Sequence, residues 1–438
     1  YWNPKGGVIA MLTTIRTINQ SRAQDFNDVI TNYLLSFDGK PQTSIAEALR
    51  LAKNSSHSSS SNVIVCIGDP AIMLAIPKPK IKLTKINDVA IDKATDNFSA
   101  LSKMKITGQV TDENDAVLSN YSGEVFVKIF DKNVQKKTLN NDGYSPSINF
   151  TDSGETIFRG NASVTNGQFE LSFIVPRDIR IPVGNGKISF YAKKTNQLED
   201  KTGYDTSIKI GGINQNAPTD NINPNLKLYM NDVTFVSGGI TNSSPYILAH
   251  LEDESGINTA SGIGHDLIAI LDGNLDNPYV LNDYYQTNLD DFTKGSLRFP
   301  LRNISPGLHT LTVKAWDVYN NPITAEIQFL VVSDESITLT NVLNYPNPFV
   351  NYTEFWFTHN KPSEPLEVQV QVYTVTGKVV WTKNQVVTTT GFLSKEITWD
   401  GKDDFGNKIG KGVYVYKLTV KATLSNKKTE KIEKIVIL

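Results

Sequence analysis

The segment Leu366–Gly377, "LEVQVQVYTVTG", places an apolar residue at every second position and ends in a Thr-Gly turn. A period of two buries one face of a β-strand and leaves the other face in water. The same alternation recurs in three further segments, Gly123–Asp131, His309–Asp317 and Gly412–Ala422. Asn, Gly and Asp, which favour turns, separate such segments. The sequence therefore predicts a mainly β protein made of antiparallel β-sandwiches.

Length and charge limit the classes of function. The chain has 438 residues, which at about 150 residues per domain predicts three or four domains. Lys and Arg total 43 against 45 Asp and Glu, so the charge balance offers no argument for a nucleic-acid partner. No apolar run approaches the ~20 residues of a membrane-spanning helix. The single cysteine, Cys66, rules out an internal disulfide framework.

The N-terminal segment has a different pattern. The runs "GGVIAML" (6–12) and "NVIVCIGDP" (62–70) are continuously apolar, which is typical of strands buried on both faces. Two helices are predicted between them. In the second helix Ser44 and Glu47 have capping-box spacing, and the apolar stripe consists of Ile45, Ala48, Leu49 and Ala52. We expect the two strands to run parallel in an α/β layer whose other strands lie upstream.

Shifts in composition divide the chain into a short α/β segment and three β-sandwich domains. Low-hydrophobicity stretches such as "GGINQNAPTDNINPN" (211–225) are typical of linkers. The predicted domains are 1–82, 83–212, 213–335 and 336–438.

The sequence carries no catalytic constellation that we assign. Cys66 could act as a nucleophile with His57 as its base, but Cys66 lies in an apolar strand and His57 in a serine-rich loop. The remaining histidines show no metal-ligand spacing and are His250, His265, His309 and His359. We expect structural roles for Cys66 and for these histidines.

Three loops combine carboxylate and amide oxygens, the ligands that calcium requires: "LEDESGIN" (251–258), "LDGNLDN" (271–277) and "WDGKDDFGNK" (399–408). None of them has EF-hand spacing, and Asp-Gly and Asn-Gly pairs are also signals of hairpin turns. Structural calcium stays an alternative for these loops, and neither a cofactor nor a metal is predicted.

The last hundred residues contain four linked motifs: "NYPNPF" (344–349), "VYTVTGKVV" (372–380), "ITWDGKDDFGNKIGKGVYVYKL" (397–418) and "KIEKIVIL" (431–438). Their order and spacing resemble the type A C-terminal domains of cargo proteins of the bacterial type IX secretion system, from Leu339 to Leu438. The resemblance implies an Ig-like sandwich that serves as a secretion signal. It also implies recognition by the outer-membrane translocon and by its shuttle β-barrel, PorV.

Two segments of this domain are candidates for partner contact. Proline fixes φ and cannot donate to a ladder, so Pro346 and Pro348 should end strand pairing, with Tyr345 and Phe349 anchoring the corner by burial. The second segment should be a long turn with glycines at left-handed positions. The candidate residues are Tyr345, Pro346, Asn347, Pro348, Phe349, Trp399, Asp400, Gly401 and Gly412.

The upstream segments resemble another family. Residues 3–17 and 63–80 resemble the closing part of a gingipain-type cysteine peptidase domain of family C25, and residues 228–242 and 262–274 resemble the region that follows it in the sortase of the type IX system. The resemblance implies the end of a caspase-like α/β domain followed by three Ig-like sandwiches. The catalytic Cys and His of that family precede these segments, and Cys66 does not match the nucleophile.

The sortase resemblance implies a peptidase and transpeptidase that removes cargo C-terminal domains and attaches cargo to anionic lipopolysaccharide. Its place would be the extracellular face of the outer membrane, peripherally held in an attachment complex with PorV. Its partners would be PorV, other complex or translocon components and cargo C-terminal domains. Two alternatives stay open: a non-catalytic type IX cargo adhesin with a cleavable C-terminal domain, and a small enzyme that uses Cys66.

Overall fold

A computed structural model describes residues 9–36, 39–55, 63–76, 78–141, 143, 146–260, 264–332 and 336–438. It is mainly β with two helices, as the alternating segments predict. The chain divides into two compact units, Tyr1–Lys78 and Pro79–Leu438. Within the described residues neither helix is long and apolar enough to cross a membrane. The predicted domain boundaries remain predictions.

The first unit places two helices against one face of a two-stranded sheet. Its elements are β1 Ala10–Thr14, α1 Gln20–Leu34, α2 Ile45–Ser55 and β2 Ile64–Gly68. Asn19 caps α1 by accepting a hydrogen bond from the Ser21 backbone N–H at 3.0 Å. Ser44 accepts the Glu47 backbone N–H at 3.3 Å, which is half of the predicted capping box. The predicted stripe of α2 is buried, and Ala48, Leu49 and Ala52 lie in the core of this unit.

Two predictions for this sheet are wrong. β1 and β2 pair antiparallel. A single crossover helix would return the chain to the end of the sheet where β1 begins, so that the next strand would run parallel to β1. Here a second helix follows and takes the chain to the end of the sheet where β1 stops, so β2 runs in the opposite direction. The strands are also not buried on both faces. The pair Leu12 and Cys66 packs against the helices, while Met11 and Ile67 on the opposite face are 37% and 41% exposed.

The first sandwich of the second unit follows its alternating pattern. In "KMKITGQV" every second side chain, beginning with Met104, is buried. Its strands are β3 Ile81–Ile86, β4 Val89–Ala90, β5 Phe98–Ala100, β6 Lys103–Val110, β7 Gly123–Phe130, β8 Val134–Lys137, β9 Asn149–Asp152, β10 Thr156–Val164, β11 Gln168–Ile174, β12 Gly184–Asn185, β13 Lys187–Lys194, β14 Asp200–Asp205 and β15 Lys209–Ile213. The sheets are β10-β7-β13-β14, β11-β6-β3-β4, β12-β15-β5 and the hairpin β8-β9.

The second sandwich has two sheets, β16-β18-β22-β21 and β17-β24-β23-β19-β20, around one core. Its strands are β16 Asn225–Met230, β17 Gly239–Thr241, β18 Tyr246–Glu252, β19 Ile268–Leu271, β20 Tyr279–Val280, β21 Tyr285–Asn288, β22 Asp291–Pro300, β23 Gly307–Trp316 and β24 Pro322–Val331, with a 3-10 helix at Asn282–Tyr284.

Polar contacts join the first two sandwiches. Asp178 of the first accepts hydrogen bonds from the side-chain amides of Asn258 and Asn320 at 2.9 and 2.8 Å, and it lies 2.8 Å from His265 Nδ1. At another place Ser163 at the end of β10 donates its backbone N–H to Asp290 Oδ1 at 2.7 Å. A bridge between residues 161 and 289 brings the outer strand β10 against the chain that follows β21.

The C-terminal sandwich packs the sheets β25-β26-β29 and β28-β27-β30-β31. Its strands are β25 Leu339–Tyr345, β26 Thr353–His359, β27 Leu366–Tyr373, β28 Val379–Val387, β29 Leu393–Trp399, β30 Gly412–Ala422 and β31 Lys428–Ile437. The segment Leu366–Tyr373 buries Leu366, Val368, Val370 and Val372, as its alternation predicts. Asn360 fixes the entry to this domain by accepting the Thr338 backbone N–H at 2.9 Å.

Candidate functional site

The proline turn ends strand pairing where the sequence predicts it. β25 stops at Tyr345, and the peptide bonds before Pro346 and Pro348 are both cis. The Pro346 carbonyl accepts hydrogen bonds from Thr353 Oγ1 at 2.9 Å and from the side-chain amide of Asn344 at 3.2 Å. The turn is therefore held to the start of β26 by buried polar side chains.

Asn347 attaches this turn to the last strand of the chain. Its side-chain amide donates to the Lys434 carbonyl at 3.0 Å, and its Oδ1 accepts the Val436 backbone N–H at 3.0 Å. Phe349 extends the contact, because its N–H donates to the Val436 carbonyl at 3.1 Å and its carbonyl accepts the Leu438 N–H at 2.8 Å. The turn thus covers the C-terminal part of the outer edge of β31, from Lys434 onward, which strand pairing alone would leave open.

Aromatic packing fixes the position of the proline turn. Phe349 is 2% exposed and packs on Trp399, with ring centroids 5.5 Å apart. Trp399 stacks on Trp381 at 5.2 Å and donates its indole N–H to the Lys402 carbonyl at 2.8 Å. The prediction that Tyr345 is buried is wrong: it is 61% exposed, because it lies on the outer face of the sheet.

The second candidate segment is a long turn between β29 and β30. Gly401 and Gly406 have φ values of +74° and +84°, as the sequence predicts. Asp403 Oδ1 accepts backbone N–H groups of Phe405 and Asn407 at 3.0 and 2.7 Å. The hydrogen bond from Lys402 lowers the pKa of the Asp400 carboxyl.

The structure brings the two candidate segments together at one end of the C-terminal sandwich. We call this region the turn end and define it as residues 345–352, 399–412 and 434–438. A side-chain carbon at Gly401 would lie 3.2 Å from the Phe349 ring, and Gly412 pairs with Ile437. The sequence alone does not reveal this convergence, since it depends on long-range pairing.

The candidate residues divide by exposure. Tyr345, Pro346, Asn347, Pro348 and Asp400 are exposed, Gly412 is half-buried, and Phe349, Trp399 and Gly401 are buried. The buried three set the shape of the turn end, while the exposed ones are available for contact.

Sequence reasoning missed three exposed apolar residues of the turn end. Phe405 is 90% exposed, Val350 is 59% exposed and Tyr352 is 48% exposed. A large apolar residue inside a turn rich in Asp and Gly, as in "KDDFGN", is a signal that could have identified Phe405. With Tyr345, these are the exposed apolar and aromatic side chains of the turn end that could contact a partner.

One group of carboxylates could hold a cation. Side-chain oxygens of Asp220, Asp253 and Asp317 lie within 4.8 Å of one another, and no other such trio of ligand residues occurs in the described ranges. Burial raises the pKa of Asp253 to about 6, and the other two carboxylates add to this shift. Asp253 belongs to the loop "LEDESGIN" that was considered for calcium, whereas Asp220 and Asp317 come from other parts of the sequence.

Among the described residues, no histidine contacts Cys66. Cys66 is half-buried against the helices of the first unit, and His57 lies outside the described residues. His309 contacts Asp272 Oδ2 at 2.7 Å and the Ser305 carbonyl at 2.7 Å. Fully buried His359 contacts Thr389 at 2.9 Å, and burial lowers its pKa to about 4.

Family comparison assigns the first unit. Residues 1–75 match the model of Peptidase family C25. Over 90% of its length the chain is 30% identical to PorU from Porphyromonas gingivalis in a crystal structure of dimeric latent PorU. This chain is PorU-like. It spans 38% of the length of PorU, and the TM-score is 0.38. The chain is thus similar to Peptidase family C25 over residues 1–75 and to PorU over most of its length.

Other solved structures share far less sequence with the chain. The fibronectin(III)-like modules of Clostridium thermocellum CbhA are 10% identical, with 48% of this chain and 93% of that chain covered and a TM-score of 0.20. A structure from a 1.5-MDa bacterial ice-binding adhesin is 12% identical, with 83% and 99% covered and a TM-score of 0.17. None of the curated proteins matches this chain.

Proposed function

We propose that this chain is the post-catalytic part of a cell-surface cysteine peptidase and transpeptidase, the sortase of the type IX secretion system. The parent would cleave cargo C-terminal domains and attach cargo to anionic lipopolysaccharide. The observation that carries the proposal is the 30% identity to PorU across 90% of this chain, together with the C25 match at residues 1–75. In this proposal the catalytic Cys and His lie outside the chain.

The C-terminal sandwich would serve as the docking domain for PorV at the extracellular face of the outer membrane. Its turn end supports this role because it combines a fixed backbone with exposed apolar side chains. Fixed anchors lose little conformational freedom on binding, which favours affinity. We place the contact on Tyr345, Val350 and Phe405, around the predicted residues Pro346 and Asn347.

A pull-down of PorV with the whole chain tests this role. The variant Tyr345→Ser/Phe405→Ser should lose most PorV binding, since exposed aromatic anchors dominate interface energies. A matched control is Val386→Ser/Leu424→Ser, which removes side chains that are 61% and 80% exposed elsewhere in the same sandwich. Equal PorV capture by both variants would count against the docking site. Neither variant touches the buried Phe349 or Trp399, so both should fold.

The alternative, a non-catalytic cargo protein with a cleaved C-terminal domain, shares the same C-terminal sandwich and differs in whether the cell retains it.

A small enzyme using Cys66 would need an accessible thiol. Alkylation of the folded chain should be much slower than alkylation of the urea-unfolded chain, because Cys66 packs against the helices. Equal alkylation rates for the folded and the unfolded chain would support the alternative of a small enzyme that uses Cys66.

A further inference from the structure

The outer face of the sheet β10-β7-β13-β14 gathers positive charge. Lys128 on β7 stands directly opposite Arg159 on β10, and Lys187 on β13 stands opposite Phe130. Like charges in a direct cross-strand pair destabilise a sheet, so the pairing of Lys128 with Arg159 does not stabilise β7 against β10. Burial lowers the pKa of Lys128, and Arg159 lowers it further. We call the surface formed by Lys128, Arg159 and Lys187 the basic face.

Aromatic rings hold the lysines of the basic face in place. Lys128 Nζ lies 4.8 Å from the centroid of the Phe130 ring, and Lys187 Nζ lies 5.9 Å from the same centroid. Lys187 is also 5.7 Å from the ring of Tyr204. Among the ion pairs of the described residues none includes Lys128 or Lys187, and Arg159 is the only charged group that shifts the pKa of Lys128. The two ammonium groups are therefore positioned by cation–π contacts while their charge stays uncompensated.

Arg159 differs from the lysines, because it is paired with Asp283 of the second sandwich. The carboxylates on the same face lie towards its other end. Glu124 is four residues from Lys128 along β7. Its cross-strand neighbour is Lys193, and Asp200 is the neighbour of Lys193 on the other side. The uncompensated charge is thus concentrated around Lys128 and Lys187.

The surroundings limit how a ligand could bind. Both edges of the sheet are occupied: the Thr202 carbonyl on β14 accepts the Lys80 N–H at 2.6 Å, and residue 161 on β10 bridges Leu289. A partner strand therefore cannot extend the sheet at these points. The ring of Phe130 lies under two ammonium groups, so it does not offer a free surface on which a base or a sugar could stack. What the face offers is fixed positive charge.

A cleft of about 180 Å³ adjoins Lys128 and Arg159, with Ser189, Tyr191 and Gln286 among its other lining residues. We propose that the basic face docks an acidic polypeptide segment. Its carboxylates would bind the ammonium groups of Lys128 and Lys187, and one of its side chains would enter the cleft. The proposal does not depend on the function proposed above.

Fluorescence anisotropy of a labelled deca-glutamate peptide with the whole chain tests the proposal. The peptide should bind, and raising NaCl from about 50 to about 300 mM should weaken binding several-fold, because salt screens exposed charges. The variant Lys128→Gln/Lys187→Gln should bind about tenfold more weakly. The variant Lys128→Arg/Lys187→Arg keeps the charge and should retain binding.

The matched control Lys85→Gln/Lys103→Gln removes two exposed charges from the opposite sheet of the same sandwich and should change affinity less than about twofold. No binding of the peptide, or equal weakening by the control, would overturn the proposal. Stronger binding of dextran sulfate or of single-stranded oligo(dT), with the same dependence on Lys128 and Lys187, would also overturn it by assigning the face to another class of polyanion.

Discussion

Asp253 gives the second sandwich a pH dependence that can be worked out from its surroundings. The residue is 6% exposed, and burial raises its pKa from 3.8 to about 6, with Asp317 and Asp220 adding to the rise. A raised carboxyl pKa means that the folded state resists ionisation. The stability contribution is therefore fully present below the unfolded pKa and is lost as the pH rises through about 6.

The shift of about two pKa units corresponds to a loss of about 3 kcal/mol above pH 7. Asp253→Asn removes the charge but keeps the Oδ1 that accepts the backbone N–H groups of Ser255 and Gly256. We expect the variant to raise the free energy of unfolding by about 1–3 kcal/mol at about pH 7.5 and by less than about 0.5 kcal/mol near pH 4.

Hydrogen exchange of the whole chain measures this change in stability within the second sandwich. EDTA is included to exclude divalent cations. Protection should increase in Tyr246–Glu252 and Gly307–Trp316, the strands that lead into Asp253 and Asp317. The exposed Asp276→Asn is the matched control. Equal protection of wild type and Asp253→Asn at neutral pH, or an equal gain from the control, would refute the electrostatic reasoning.

Two further predictions concern single side chains. Asn347→Ala should lower the free energy of unfolding of the C-terminal sandwich by about 1–2 kcal/mol, because two hydrogen bonds to β31 are lost. An unchanged urea midpoint would show that Asn347 does not stabilise the attachment of the proline turn to β31. Burial lowers the pKa of His309, but its hydrogen bonds to Asp272 and to the Ser305 carbonyl outweigh burial, so its pKa is raised. The resulting stability is present below pH 6.5 and lost as the pH rises further, so urea midpoints should fall more between about pH 6 and about pH 9 in wild type than in His309→Gln.

The sequence predicts local features of this fold well. Alternation identifies strands such as Leu366–Tyr373, since the period of two is a property of neighbouring residues. The direction of β1 relative to β2 depends on the path of two helices, and the parallel prediction was therefore wrong. The exposure of Tyr345 depends on which face of β25 meets the core, which its neighbours along the chain do not determine.

The candidate sites could be predicted only in part from the sequence, because they too depend on contacts between residues far apart in the chain. The proline turn and the Gly-rich turn were located from their motifs, but their meeting through Phe349 and Trp399 is a tertiary contact. A near-neutral total charge concealed the basic face, because Lys128 and Arg159 are brought together by the pairing of β7 with β10. Long-range pairing of strands created each of these surfaces.

The central proposal is that the chain belongs to a sortase that keeps its C-terminal sandwich as a docking domain. Mass spectrometry of the native protein, isolated from the cell surface, tests this most directly. The predicted result is a surface-attached protein that still carries residues 336–438. A glycolipid-modified end near residue 335, where the C-terminal domain is predicted to begin, would contradict the account and identify a cleaved cargo protein.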